Sequence, residues 1–233
     1  MFKPDVTRGR FAVPLIATTA AAVAALLLAG SARADVAGSP GSAATSTDPS
    51  QLITVTAASY GTTSATLRAY RVTGGKRVEV FGPWTARVGY NGVARPGKKR
   101  EGDGTTPSGT YGFGFFFGVD PEPDPHFAFP FRHAYTYDYW DDDKASPRYN
   151  EWVDSKAAGG ANPEPMHNVP AYDYGAVIAY NTARVPGLGS AIFLHVGTGG
   201  PTAGCVSLPK AELLKILDWL KPADSPRITI TAR

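Results

Sequence analysis

Hydrophobic and polar residues alternate along four segments in the first half of the chain. The period of two is that of β-strands with one face buried in a sheet. The dipeptides Gly74-Gly75 and Gly82-Pro83 fall between these segments and favour turns. Short strands at close spacing predict an antiparallel sandwich or barrel-like sheet. The predicted strands cover residues 52–56, 65–72, 77–81 and 84–90.

The second half of the chain changes pattern. Two uninterrupted apolar runs, 174–180 and 191–196, are typical of central strands that are buried on both faces. Residues 209–220 repeat leucine and isoleucine at helical spacing, which predicts one amphipathic helix with Ser207 as its N-cap. Residues 227–231 alternate again and predict a closing strand.

A long segment, about 113–172, separates the two halves and is rich in aromatic residues, prolines and acids. A segment of this length without clear periodicity is typical of a lid or a binding loop, so we expect it to wall a substrate cleft. The predicted fold class is therefore mainly β, a sandwich or barrel-like sheet with one C-terminal amphipathic helix and a long lid-like insertion.

The N-terminus has the composition of an export signal. A basic head precedes an apolar stretch, and Ala32-Arg33-Ala34 fits a signal-peptidase site. We expect a signal peptide over 1–34, a flexible linker over 35–50 and one catalytic domain over 51–233 of a protein exported to the cell envelope. The alternative for the first segment is an uncleaved membrane anchor.

The positive charge of the chain belongs to this predicted signal. Residues 1–34 contain four of the 23 basic residues and one of the 20 acidic ones, so the remainder is neutral, with 19 of each. A neutral domain gives no reason to expect a nucleic-acid partner. We expect the basic run 95–100 to be a solvated loop. We also expect a monomer that has no membrane contact once the signal is removed.

Cys205 is the only cysteine, and it follows His195 by ten residues through a glycine-rich loop. Such a loop can bring an imidazole base to a thiol, and a helix shortly after the thiol would lower its pKa. The backbone amides of Gly204 and Cys205 are candidates for an oxyanion hole. These parts indicate a cysteine acyltransferase or hydrolase. The alternative is a buried structural cysteine beside a core histidine.

The surrounding residues resemble the L,D-transpeptidase (YkuD-type) catalytic domain family. The resemblance rests on His195 followed by Thr202-Ala203-Gly204-Cys205-Val206-Ser207, and on a Thr-Pro-x-Gly-x-aromatic element within 102–111. Residues 139–143 and 149–152 look like the same region of short secreted bacterial members. Two positions depart from the family pattern: Ala203 replaces a histidine, and Ser207 replaces asparagine or arginine.

The resemblance implies that Cys205 forms a thioester with a peptidoglycan stem peptide while His195 relays protons. An amine of a neighbouring stem then resolves the thioester, whereas water would make the protein an L,D-carboxypeptidase. The partners are thus stem peptides, and no cofactor and no metal are implied. Candidate substrate-binding residues are Trp140, Asp142, Tyr149 and Thr202, although Trp140 could instead pack beneath the insertion.

Three other functions stay open at this point. A sortase-like transpeptidase has a much longer separation between histidine and cysteine, and a papain-like endopeptidase has the two residues in the opposite order. A non-catalytic wall-binding domain would leave Cys205 buried and unreactive.

Overall fold

The computed structural model describes residues 49–233. The predicted signal peptide and nearly all of the predicted linker lie outside the described residues. The first described residues are joined to the domain, since the Ser50 amide donates to Asp224 O at 3.0 Å.

The described chain contains thirteen strands and one α-helix, together with two short 3₁₀ helices. In chain order they are β1 (Gln51–Ala57), β2 (Ser64–Thr73), β3 (Lys76–Arg87), β4 (Gly109–Tyr111), β5 (Phe113–Gly118), β6 (Phe131–His133), β7 (Tyr139–Asp141), β8 (Glu151–Val153), β9 (Glu164–Pro165), β10 (Gly175–Ile178), β11 (Phe193–Val196), β12 (Val206–Leu208), α1 (Lys210–Trp219) and β13 (Arg227–Ala232).

Ten strands form one sheet in the order β4-β13-β1-β2-β3-β12-β11-β10-β5-β6, and the sheet curls into a half-barrel. A separate sheet in the order β8-β7-β9 lies within the insertion. The mainly β fold class with one late helix is confirmed. The insertion is more ordered than its sequence indicates, since it begins with a strand of the main sheet and carries a sheet of its own.

One predicted turn is wrong. Gly82-Pro83 lies inside β3, which continues from Lys76 to Arg87. Leu67 of β2 pairs with Trp84 of β3, and Ala69 pairs with Phe81, so Gly82 and Pro83 together stand opposite one residue and form a bulge in β3. A Cβ at Gly82 would lie 2.7 Å from Leu67 O, which explains why glycine occupies the bulge.

Helix α1 fixes the strands that carry the candidate site. Its buried residues Leu213, Ile216 and Leu217 belong to the same core cluster as Leu194 of β11 and Leu208 of β12. β11 and β12 run parallel, and their register places His195 opposite Ser207. The helix therefore supports the strand that contains His195 and the strand that directly follows Cys205.

A second core cluster joins the insertion to the main sheet. It combines Trp140 and Trp152 of the small sheet with Phe193 of β11 and with Cys205. Because the cysteine shares this cluster, packing of the insertion determines the position of the thiol.

Candidate active site

A cavity of about 350 Å³ opens where the loop before β12 meets the insertion. Five of the residues predicted from the sequence line it, and two do not. Those that line it are Cys205, His195, Gly204, Thr202 and Asp142; Trp140 and Tyr149 lie elsewhere.

The Cys205 thiol is held by backbone groups of the neighbouring chain. Its S–H donates to Ala191 O at 3.3 Å, and the Phe193 amide donates to Sγ at 3.3 Å. Ala191 has a φ of 52°, a left-handed conformation that is unusual for a residue with a Cβ. This strained residue presents the carbonyl that accepts the thiol proton.

The environment favours the neutral thiol. Burial raises the pKa of Cys205 well above its usual range, and the charge of Glu164 adds to this effect, while the Phe193 amide and Lys99 act in the opposite direction. The expected effect of a helix N-terminus is wrong, because β12 and Pro209 stand between Cys205 and the first residue of α1, Lys210. The macrodipole effect falls off within the first turn of a helix.

His195 is the last residue but one of β11 and is 8% exposed. Its Nδ1 donates to Val196 O at 2.8 Å, which fixes the tautomer with the Nε2 lone pair free to accept a proton. Burial lowers the pKa of His195, whereas the backbone carbonyls of Val196 and Ala171 act in the opposite direction. The imidazole is therefore a neutral base.

Both residues face one cavity, but the sulfur hydrogen-bonds to Ala191 and Phe193 and not to the imidazole. A thiol and an imidazole that are both neutral can react as a pair when the thiol proton moves to Nε2 during nucleophilic attack. This arrangement differs from the preformed thiolate that the sequence suggests.

The loop before Cys205 is fixed by threonine side chains. Thr202 Oγ1 donates to Cys205 O at 2.7 Å and accepts from the Gly204 amide at 3.2 Å. One of the two predicted oxyanion donors is thus occupied by Thr202 in this structure. Gly204 has a φ of 155°, and a Cβ there would lie 3.1 Å from Thr105 O. Glycine lets the loop pass close to its neighbour.

Thr106, which belongs to the Thr-Pro element, also holds the loop that contains Cys205. It is fully buried, and its Oγ1 donates to Cys205 O at 3.1 Å and accepts from the Gly89 amide at 2.8 Å. This contact joins two segments that are 99 residues apart in the chain. Thr106 has a structural role at the site.

We expect Thr106→Val to lower the free energy of unfolding by about 2 kcal/mol, because the buried Gly89 amide loses its acceptor while side-chain volume is kept. Denaturant unfolding measures this loss. Thr110→Val is the matched control, since Thr110 Oγ1 bonds only to Thr229 on an exposed face. Equal effects of the two substitutions would contradict the anchoring role.

Three carboxylates line the cavity: Glu101, Asp142 and Glu164. Burial, followed by the charge of Glu101, raises the pKa of Asp142 to about 6. Burial raises the pKa of Glu164 to about 7, although the hydrogen bond from Tyr172 acts in the opposite direction. Burial thus makes Asp142 and Glu164 easier to protonate than exposed carboxylates.

The predicted solvated loop at 95–100 is wrong for Lys99. This residue is 5% exposed and lines the cavity, where its Nζ donates to Asp103 Oδ1 at 2.7 Å and to Arg100 O at 2.9 Å. Burial acts to raise the pKa of Asp103, but hydrogen bonds from Lys99 and from backbone amides outweigh it and lower the pKa. A buried ammonium thus stands on the Cys205 side of the cavity.

The structure places Trp140 and Tyr149 behind the cavity wall. The Trp140 ring packs edge-on against Phe193, with centroids 5.0 Å apart. The Tyr149 hydroxyl donates to Glu101 and accepts from the Gly189 amide at 3.0 Å. Both side chains are buried because they join the insertion to β11 and to the loop before it. Their contacts support the walls, and neither side chain lines the cavity that contains Cys205.

Ser207 has a different place from the one predicted. It lies in β12, and α1 has no side-chain N-cap. Its Oγ is buried without a hydrogen-bond partner in the described residues, and it lines the cavity opposite His195 in the strand register.

Five further residues line the cavity without having been predicted from the sequence: Lys99, Glu101, Glu164, Tyr172 and Ser190. Lys99 and Glu101 could have been found, because they lie close in sequence to the Thr-Pro element. No periodicity marks Glu164, which lies between two prolines of the insertion.

Within residues 49–233, no helix combines the length and apolar character needed to cross a bilayer. In the same residues, no group of three or more histidine, cysteine or acidic side chains is arranged to hold a metal ion.

Comparison with known proteins gives one family match. Residues 58–230 match the family described as the YkuD L,D-transpeptidase catalytic domain. No curated protein is similar enough to count as a match. Among solved structures, the helical cell shape determining protein Pgp2 from Campylobacter jejuni is similar with a TM-score of 0.40 and 14% identity, over 80% of this chain. The match covers 49% of the length of that structure, so the chain spans about half of it.

Proposed function

Because this chain belongs to the L,D-transpeptidase catalytic domain family, we propose that it is a cysteine acyltransferase that acts on peptidoglycan stem peptides. The observation that carries the proposal is one cavity lined by a lone thiol and by an imidazole whose Nδ1 is committed to Val196 O. That hydrogen bond leaves Nε2 as the base, which acyl transfer requires.

In the proposed reaction, Cys205 Sγ attacks the carbonyl carbon between the third and fourth residues of a tetrapeptide stem as its proton moves to His195. The C–N bond breaks, and the departing terminal D-amino acid takes the proton from the imidazolium. An amine of a second stem then attacks the thioester carbon and gives a proton to His195. The S–C bond breaks, and the returned proton restores the thiol.

We propose that the Cys205 and Gly204 amides stabilise the oxyanion, with Thr202 releasing the Gly204 amide during the reaction. Asp142 and Thr202 are the proposed substrate contacts among the predicted residues. The cell envelope is the proposed place of action, reached through the predicted signal peptide over 1–34.

We expect the protein to convert disaccharide-tetrapeptide fragments into cross-linked dimers that lack one terminal D-amino acid, as read by mass spectrometry. The matched control is the disaccharide-tripeptide, which has no residue to release and cannot act as a donor. Dimers formed from the tripeptide alone would contradict the proposed bond. Absence of any product from the tetrapeptide would overturn the assignment.

A second outcome separates the alternative reaction. Water competes with the acceptor amine because the cavity is open to solvent, and hydrolysis of the thioester yields a tripeptide without dimers. Trimming alone would assign the protein as an L,D-carboxypeptidase. Both outcomes require the Cys205 thioester.

A further inference from the structure

Tyr172 and Glu164 form a connected pair on the cavity wall behind His195. The Tyr172 hydroxyl donates to Glu164 Oε1, and the Tyr172 ring stands edge-on to the His195 ring with centroids 5.4 Å apart. Glu164 belongs to β9 of the small sheet, so this contact runs from the insertion to the predicted base.

The Tyr172 ring has little freedom to move. It is buried, and it packs edge-on against Phe117 and Phe193 at centroid distances of 5.5 and 5.7 Å. The backbone on either side is tied to the main sheet, because the Val196 amide donates to Ala171 O at 3.1 Å and the Val119 amide donates to Tyr172 O at 2.9 Å. The ring is therefore a fixed wall for the imidazole.

Charged groups from the insertion and from the loop before β4 act on Glu164 and on Cys205. Asp142 and Glu101 act on Glu164 from the insertion and from the loop before β4, and both raise its pKa. Cys205, Glu164 and Lys99 line the same cavity. The charge of Glu164 raises the pKa of the thiol, and that of Lys99 lowers it. A negative charge at Glu164 disfavours a thiolate, whereas a neutral carboxyl removes that penalty.

We propose that Glu164 and Tyr172 are positioning residues, in which Tyr172 holds the His195 ring and protonation of Glu164 by solvent increases the nucleophilic reactivity of Cys205. The proposal rests on the proposed function of Cys205 and His195. It adds a sensor in the insertion that couples the acidity of the surroundings to the reactivity of the thiol.

The test is the rate of Cys205 alkylation by iodoacetamide as a function of pH, read by intact mass. With a single cysteine, each adduct reports one site. We expect the wild-type profile to rise with pH and to show an inflection near pH 7, where Glu164 becomes charged and slows the reaction. Glu164→Gln keeps an acceptor for Tyr172 and is expected to lack the inflection.

Above the inflection, we expect Glu164→Gln to react about threefold faster than wild type. Removing one nearby charge lowers the pKa of a thiol by about 1, which raises the thiolate fraction about tenfold. Nucleophilicity falls with pKa with a Brønsted coefficient of about 0.5, which cancels about threefold of that gain.

Two further variants move the inflection in opposite directions. Glu101→Gln removes a carboxylate of the same cavity wall, one that accepts a hydrogen bond from Tyr149. Because Glu101 raises the pKa of Glu164, we expect this variant to shift the inflection to lower pH. Tyr172→Phe keeps the ring and removes the donor to Glu164, so the inflection is expected at higher pH. A role in packing alone would move neither.

An inflection that persists in Glu164→Gln, or slower alkylation of that variant above pH 7, would overturn the proposal. If a thermal melt shows that Glu164→Gln is not folded, the shift of the inflection in Tyr172→Phe tests the proposal in its place. If the alkylation rate of the wild-type protein shows the inflection but tetrapeptides give no product, the proposed function is refuted and the role of Glu164 as a sensor is retained. A wild type that transfers without an inflection refutes the sensor alone.

Discussion

Cys205→Ala is expected to lower the rate of product formation from tetrapeptide fragments by at least about 10³-fold, because no other thiol is present to form the acyl intermediate. The fold should persist, since the substitution removes one sulfur atom whose two hydrogen bonds are to backbone groups. Initial rates measured by chromatography, together with a thermal melt, separate loss of chemistry from loss of structure.

Cys205→Ser is the matched control for this result. A hydroxyl can keep both backbone hydrogen bonds, but it loses its proton far less readily than a thiol, so we expect a similar loss of rate. A Cys205→Ala protein that keeps more than a tenth of the wild-type rate would mean that another group carries the reaction.

Gly89→Ala is expected to destabilise the domain by about 3 kcal/mol or more. A Cβ at this position would lie 2.2 Å from Gly104 O and 2.9 Å from Gly92 O, and neither backbone atom can rotate away. Gly89 also bridges to Thr202, and the Tyr90 amide donates to Thr202 O at 2.8 Å. The strain therefore reaches the loop that carries Cys205, and activity should fall with stability.

Gly61→Ala provides the comparison, because nothing lies within 4 Å of a Cβ there. We expect it to change the free energy of unfolding by less than about 0.5 kcal/mol. Denaturant unfolding of both variants measures the difference. Similar values for Gly61→Ala and Gly89→Ala would contradict the close packing at the second position.

The sequence predicts the regular part of this fold well, because alternation and helical spacing are local. The spacing of Leu213, Ile216 and Leu217 locates α1 to within a residue at each end. Gly82-Pro83 is the exception. Its residues signal a turn, but the pairing partner of β3 is set by tertiary structure, and the sheet accepts the two residues as a bulge.

The site residues that depend on local sequence were predicted, and those that depend on tertiary structure were not. Cys205 and His195 are close in sequence, so a short loop brings both to one cavity. Trp140, Tyr149 and Lys99 depend on which way a side chain points in a segment without periodicity. Trp140 and Tyr149, which were candidate substrate contacts, do not line the cavity, whereas Lys99, which was expected in a solvated loop, does.

The electrostatics could not be predicted from residue types. The short sequence separation between Cys205 and the predicted helix suggests a lowered pKa for the thiol. In the structure, burial of the thiol has the largest effect and raises this pKa. The effect of burial depends on the whole second core cluster, whose members come from 117 to 205 of the chain.

The hydrogen bond from the Phe193 amide to Cys205 Sγ gives this protein an internal spectroscopic probe. An amide proton shared with sulfur changes its NMR chemical shift when the sulfur loses its proton or gains an acyl group. A ¹⁵N-labelled sample would thus report the chemical state of the nucleophile from one backbone signal, with no dye, radiolabel or change to the sequence.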